Sequence, residues 1–235
     1  MRFDGRIVLV TGVGRSGQVG EAVAAAFAAE GARVILVDRA LDEAEARAAE
    51  LRARGGDARA YACDLADETQ LAILAAEVGA AYGRLDALVA LAGGFAMSGP
   101  VAESGPAVWQ RQIAINLTTA YLTTRAFLPA LRTAGGAIVY FASAAALPGA
   151  ATAGMAAYAA AKSGVIALMR AVAADERPHR VRANAVAPTS IRTASNVQAM
   201  GDQAAYVERE EVAAAVCWLC SGDASAVTGQ VIRLG

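Results

Sequence analysis

Ten residues, Thr11 to Gly20 (TGVGRSGQVG), separate the β-branched run Ile7–Val10 from a helical segment over Glu21–Glu30, and four of the ten are glycine. Glycines in a strand-to-helix turn let the two elements approach closely and leave the first N–H groups of the helix uncovered. The positive end of the helix dipole then faces outward, so the natural occupant of such a turn is a phosphate. A βα unit of this kind constrains the rest of the chain to an α/β design.

The remaining sequence agrees. Short β-branched runs (Val34–Val37, Leu88–Val89, Ile138–Phe141, Val181–Val186, Val231–Leu234) alternate with long alanine-rich helical segments. Alternation predicts a doubly wound parallel sheet of about seven strands with helices on both faces. Asp42 with Glu45 and Asp67 with Gln70 have capping-box spacing, and Gly55-Gly56 stops the second helix. No linker or repeat interrupts residues 1–235, which read as one domain.

Composition narrows the function classes. Net charge is −1 and hydrophobic residues make up 56% of the chain, which suits neither disorder nor a nucleic-acid surface. The first residues enter a strand without a signal pattern, and no apolar run approaches the roughly 20 residues of a membrane span. A cytoplasmic protein with small-molecule partners is expected. Cys63, Cys217 and Cys220 form no disulfide framework, and Cys217-Trp-Leu-Cys220 lies in an apolar helical pattern without a second ligand pair. With His179 the only histidine, no catalytic metal is expected.

Asp38 closes the second strand. A carboxylate there can accept hydrogen bonds from both ribose hydroxyls of an adenosine, and together with the glycine turn it points to a dinucleotide. It would repel a 2′-phosphate, which favours NAD. Arg15 in the glycine turn and Arg39 after Asp38 could clamp that phosphate, which keeps NADP possible.

The chemistry concentrates in Ser143–Lys162 (SAAALPGAATAGMAAYAAAK). Tyr158 and Lys162 stand four apart, on one face of a helix. Lys162 is the only lysine, against twenty arginines. An adjacent ammonium favours the phenolate, lowers the tyrosine pKa from about 10 and equips it for general acid or base work. From Met155 to Val172 the only charged residues are Lys162 and Arg170, so this helix should be buried.

In this order the motifs resemble those of the short-chain dehydrogenase/reductases, over nearly the whole chain. The likeness runs through the glycine turn, Asp38, Asp64-Leu65 after the third strand, Ala92-Gly93 after the fourth, then Asn116, Ser143, Tyr158 and Lys162. It implies that Tyr158 exchanges the proton, that Lys162 lowers its pKa and holds the nicotinamide ribose, that Ser143 bonds the substrate oxygen and that Asn116 supports a water in the relay. It also implies cofactor contacts from Thr11, Gly12, Gly14, Arg15, Gly17, Gln18, Val19 and Gly20, from Asp38 and Arg39, from Asp64 and Leu65 at the adenine, and from Ala92 and Gly93. In NAVAPTSIRT it adds Val186, Pro188, Ile191 and Thr193, the last through its hydroxyl to the carboxamide.

The sequence departs from the family pattern in places. The glycine turn is about two residues longer, so Gly17 or Gln18 takes the place of the middle glycine. Ala90-Leu91-Ala92-Gly93 lacks the usual side-chain amides that tie strands together. Thr189 stands where a glycine is usual, the Ser143–Tyr158 interval is some two residues long, and the lid segment Ala194–Glu208 is short, which implies an open pocket. Gly94, Phe95, Ala145, Leu147, Met155 and Met200 or Tyr206 would line it, with no cation to grip a carboxylate.

These readings converge on an NAD(P)-dependent oxidoreductase that interconverts a secondary alcohol and a ketone, with a small neutral or hydrophobic substrate. An NADPH-dependent 3-oxoacyl (carrier protein or CoA) reductase is the competing enzyme reading, disfavoured by Pro129 and Ala174 where a basic patch would lie. A non-catalytic nucleotide-binding scaffold is the alternative from another class. The apolar helices Trp109–Leu131 and Met155–Ala174 predict a homodimer or homotetramer built on a helix bundle.

Overall fold

A computed structural model describes all 235 residues. Seven parallel strands lie in the order β3-β2-β1-β4-β5-β6-β7: β1 Ile7–Thr11, β2 Arg33–Asp38, β3 Asp57–Ala62, β4 Ala87–Ala90, β5 Ala137–Phe141, β6 Arg182–Pro188 and β7 Val231–Leu234. Eight α-helices connect and flank them: α1 Val19–Ala29, α2 Leu41–Ala53, α3 Glu68–Tyr82, α4 Pro106–Ile113, α5 Thr119–Ala134, α6 Ala156–Asp175, α7 Ala194–Met200 and α8 Arg209–Cys220. This is the expected doubly wound α/β architecture.

Strand alternation splits the core in two. Ile7, Leu9, Leu88, Ile138 and Tyr140 face one apolar layer with α3, α5 and α6. Val8, Val10, Val89, Val139 and Phe141 face the other with α1, α2 and α8. The central strands β1, β4 and β5 are buried on both sides, so their sequences read as near-continuous apolar runs, whereas the edge strands β3 and β7 are partly exposed. The chain reverses its winding between β1 and β4, which opens a crevice beyond the carboxyl ends of the strands. Every loop predicted to carry chemistry ends a strand at that edge.

Local signals held unevenly. Asp67 caps α3, its carboxylate accepting from Thr69 N and Gln70 N. Asp42 does not cap α2: the helix begins at Leu41 after Ala40, leaving Asp42 and Glu43 as first-turn acids. The helix expected over Trp109–Leu131 runs throughout, with one π-helical turn over Ala114–Thr118 joining α4 to α5. With 20 residues and a mean hydropathy of 1.2, α6 is long and apolar enough to cross a membrane by length and composition, but Lys162, Arg170 and Asp175 interrupt its apolar run and its inner face packs on the sheet. It is not buried all round, since Ser163, Ala167, Arg170, Ala171 and Ala174 are exposed along one stripe.

Candidate active site

The glycine turn is held by close approaches. A Cβ on Gly20 would lie 2.3 Å from Gly12 O, and one on Gly12 2.9 Å from Ala92 Cα. Asp38 Oδ2 accepts from Gly14 N at 2.9 Å. Gly17 N–H donates to Glu21 Oε2 at 2.6 Å. Of the two residues considered for the middle-glycine place, Gly17 therefore has its N–H engaged, while the N–H groups of Val19 and Gly20 at the start of α1 meet no protein acceptor. A cradle without side-chain bulk, two free N–H groups and a carboxylate at the end of β2 fit a dinucleotide. Arg15 and Arg39 are exposed beside it, and neither pairs with a carboxylate.

Thr11 is buried and serves the neighbouring loop: its Oγ1 donates to Val89 O and accepts from Leu91 N and Ala92 N, both at 3.1 Å. These bonds, together with Asn116 further along, tie down the segment whose side-chain amides are missing. The carboxylate of Asp64 accepts from Ala66 N at 3.0 Å, whereas Leu65 is buried in the core. At the end of β6, Pro188 is buried, and Ile191 bridges to Val207 at the far end of the lid segment. Thr193 is buried and caps α7, its Oγ1 accepting from Asn196 N at 3.2 Å. Thr189 needs no glycine conformation, since Arg180 is the only non-glycine residue with positive φ.

The four chemical residues converge at the mouth of the crevice. Asn116 lies in the π-helical turn, buried, and its amide bonds the Gly94 peptide in both directions. Nδ2 also donates to Gln112 O and Oε1. A Cβ on Gly93 would fall 2.5 Å from Asn116 Oδ1 and 3.4 Å from Lys162 Nζ. Lys162 is buried on α6, and its Nζ donates to Phe141 O at 2.8 Å. Burial lowers its pKa to about 8.

Nζ lies 5.8 Å from the centre of the Tyr158 ring. The expected lowering of the Tyr158 pKa is not what the isolated protein shows. Burial raises it, and the Ser143 hydroxyl beside it opposes the rise. The ammonium is turned toward a backbone carbonyl, and both groups sit in low dielectric, where charge on either is costly.

Phe95 meets Tyr158 edge-on, centroids 5.0 Å apart, and both Phe95 and Met97 are exposed at the mouth. The long interval after Ser143 folds into turns at Gly149 and Gly154, both with positive φ. Gly154 O accepts from Ser98 N and Ser98 Oγ, which fastens this interval to the loop after β4. Tyr206 holds the lid together: its hydroxyl donates to Asn196 O and Gly201 O, and Arg192 stacks on its ring. Arg192 also pairs with Asp202 and Glu208, so the short lid is internally braced. Sequence reasoning missed Met97, Gln112, Glu21 and Arg192. Only Glu21, an acid in the first turn after a phosphate-type loop, left a readable anomaly.

Residues 12–234 match a family model described as enoyl-(acyl carrier protein) reductase. The chain is 37% identical to a D-threitol dehydrogenase of Mycolicibacterium smegmatis over 240 residues, 97% of this chain and 90% of that protein. It is 35% identical to a meso-2,3-butanediol dehydrogenase of Serratia marcescens over 239 residues, 97% and 92% of the two chains. The solved structure of an NAD+-bound xylitol dehydrogenase superposes with a TM-score of 0.90 at 28% identity, covering 100% of this chain and 99% of that one. With a matching family model, relatives and fold, the chain belongs to the short-chain dehydrogenase/reductase family and is an NAD(P)-dependent oxidoreductase acting on CH–OH groups and their carbonyls.

Proposed function

We propose that the protein interconverts a small neutral secondary alcohol and its ketone, with NAD as the preferred nucleotide and Tyr158 as the group that exchanges the hydroxyl proton. The observation that carries this reading is the convergence of Asn116, Ser143, Tyr158 and Lys162 at the crevice mouth. The bound nicotinamide supplies or accepts the hydride. Ser143 donates a hydrogen bond to the substrate oxygen, and Tyr158 gives its proton to the developing alkoxide or takes it from the alcohol. Lys162 stabilises the tyrosinate left behind, the form that burial alone disfavours. Asn116 fixes the Gly94 peptide beside these groups.

Substrate class follows from the mouth. Phe95 and Met97 are apolar, and the names of similar proteins, threitol, butanediol and xylitol dehydrogenases, describe neutral alcohols. Asp38, aimed at the glycine turn, favours an unphosphorylated ribose. Arg15 and Arg39, both free of carboxylates, support NADP as the second reading. We also assign a cytoplasmic homodimer or homotetramer. The exposed small-residue stripe of α6, with Trp109 and Tyr121 exposed on α4 and α5, supports that assembly.

Nicotinamide fluorescence during titration with NADH and, separately, NADPH tests the reading, followed by a panel of neutral ketones and diols. Preference for NADH with turnover of a neutral ketone is expected. Preference for NADPH would shift the nucleotide assignment to Arg15 and Arg39, and binding of neither would overturn the catalytic reading.

A further inference from the structure

We propose that Gln18 is a positioning residue for the nicotinamide end of the nucleotide, acting through the lid rather than on phosphate. The proposal rests on the dinucleotide reading above. The extra length of the glycine turn does not fold back over α1. It reaches across to the start of the lid, where Gly17 O accepts from Ala194 N at 3.0 Å and the Gln18 amide donates to Ser195 Oγ at 3.0 Å. Ala194 and Ser195 directly follow Thr193, the residue assigned to the carboxamide.

The approach demands glycine. Gly17 has φ +71, and a Cβ there would lie 3.0 Å from Ala194 Cβ. Its N–H is fixed by Glu21 Oε2 at 2.6 Å. The same oxygen accepts from Arg209 Nη1 at 3.3 Å, just past the other end of the lid. Glu21 thus anchors the turn and the lid's exit, while Gln18 anchors its entry. A turn of ordinary length, two residues shorter, would lack the reach for the Gln18 contact. The longer turn therefore supplies a strut that sets where Thr193 stands.

The test compares wild type with Gln18→Ala, Ser195→Ala and the double variant. Each is titrated with NADH (or NADPH, if wild type prefers it) and with ADP-ribose, which lacks the nicotinamide. Hydrogen exchange over residues 194–200 is measured without nucleotide. Removal of one neutral hydrogen bond should weaken NADH about two- to tenfold. ADP-ribose affinity should stay unchanged, exchange should quicken in both single variants, and the double variant should match either single one.

Equal weakening of NADH and ADP-ribose by Gln18→Ala would overturn the proposal and place Gln18 on the phosphates. Unaltered exchange, or additive losses in the double variant, would also overturn it. Failure of wild type to bind any of these nucleotides would instead remove the dinucleotide reading on which the proposal stands.

Discussion

The side-chain amide of Asn116 grips one peptide unit on each side of a single residue: its Oδ1 accepts from Gly94 N at 3.1 Å and its Nδ2 donates to Gly94 O at 2.9 Å. The π-helical turn makes this reach possible by setting the helix out of α register at that point. Asn116→Leu would remove the bonds to both half-buried Gly94 groups and leave the buried Gln112 side chain without its Asn116 partner. Urea unfolding should show a loss of about 2–4 kcal/mol, with turnover falling as well. Wild-type stability in the variant would refute the clamp.

Tyr158→Phe keeps the ring and its edge contact with Phe95 but removes the proton. Turnover should fall about 100- to 10,000-fold while reduced-nucleotide affinity stays within about twofold. Steady-state rates and fluorescence titration on the same preparation separate the two effects, and retained turnover would remove Tyr158 from its role.

Burial of Lys162 comes at the expense of stability. Its folded pKa of about 8 lies below the unfolded value of about 10.4. Between those values the unfolded chain binds more protons, so stability should rise with pH from about 8 to about 10, and below about 8 the burial penalty is present in full. Lys162→Met should abolish turnover yet raise Tm at pH 7 by a few degrees, net of the lost bond to Phe141 O. Calorimetry across pH 7–10 checks both signs, and a Met variant that keeps the wild-type slope would reject this account.

Asp38→Ser removes the carboxylate that accepts from Gly14 N in the glycine turn and that the proposed function assigns to the ribose. The ratio of kcat/KM with NADP to that with NAD should rise about tenfold or more. Arg15→Ala with Arg39→Ala should oppose the gain if those guanidinium groups hold the phosphate. An unmoved ratio would show that nucleotide choice lies elsewhere.

The three thiols should be inert in the native state. Burial pushes Cys63 up to about 11, Cys217 up to about 12 and Cys220 higher still. Native protein at pH 8 should react negligibly with a chromogenic disulfide, and unfolded protein should give three equivalents. Rapid native reaction at Cys217 or Cys220 would revive a redox role for the Cys-Trp-Leu-Cys pair.

The sequence was most legible where burial is periodic. Val8, Val10 and Val34–Val37 are apolar on both faces because helices cover both faces of the sheet, and that pattern needs no tertiary knowledge. Tyr158 and Lys162 were legible because a helix brings residues four apart together. The π turn at Asn116 was not, since AINLTTAYL carries no breaker to mark a register change. Nor were the lid anchors. Gln18 and Ser195 are 177 residues apart and Arg209 and Glu21 188 apart, all polar groups near the surface, where no hydrophobic period records a partner. The Asp42 cap failed for a similar reason: several acids open that segment, but the helix starts one residue before the first of them, after Ala40, with Ala44 and Ala48 packed into the core.

One buried lysine among twenty arginines has a practical corollary. Reagents that acylate lysine side chains find a single target within residues 1–235, and folding hides it. Dyes, biotin or a resin coupled to lysine should therefore fail to attach under native conditions, and acylation of Lys162 should report unfolding.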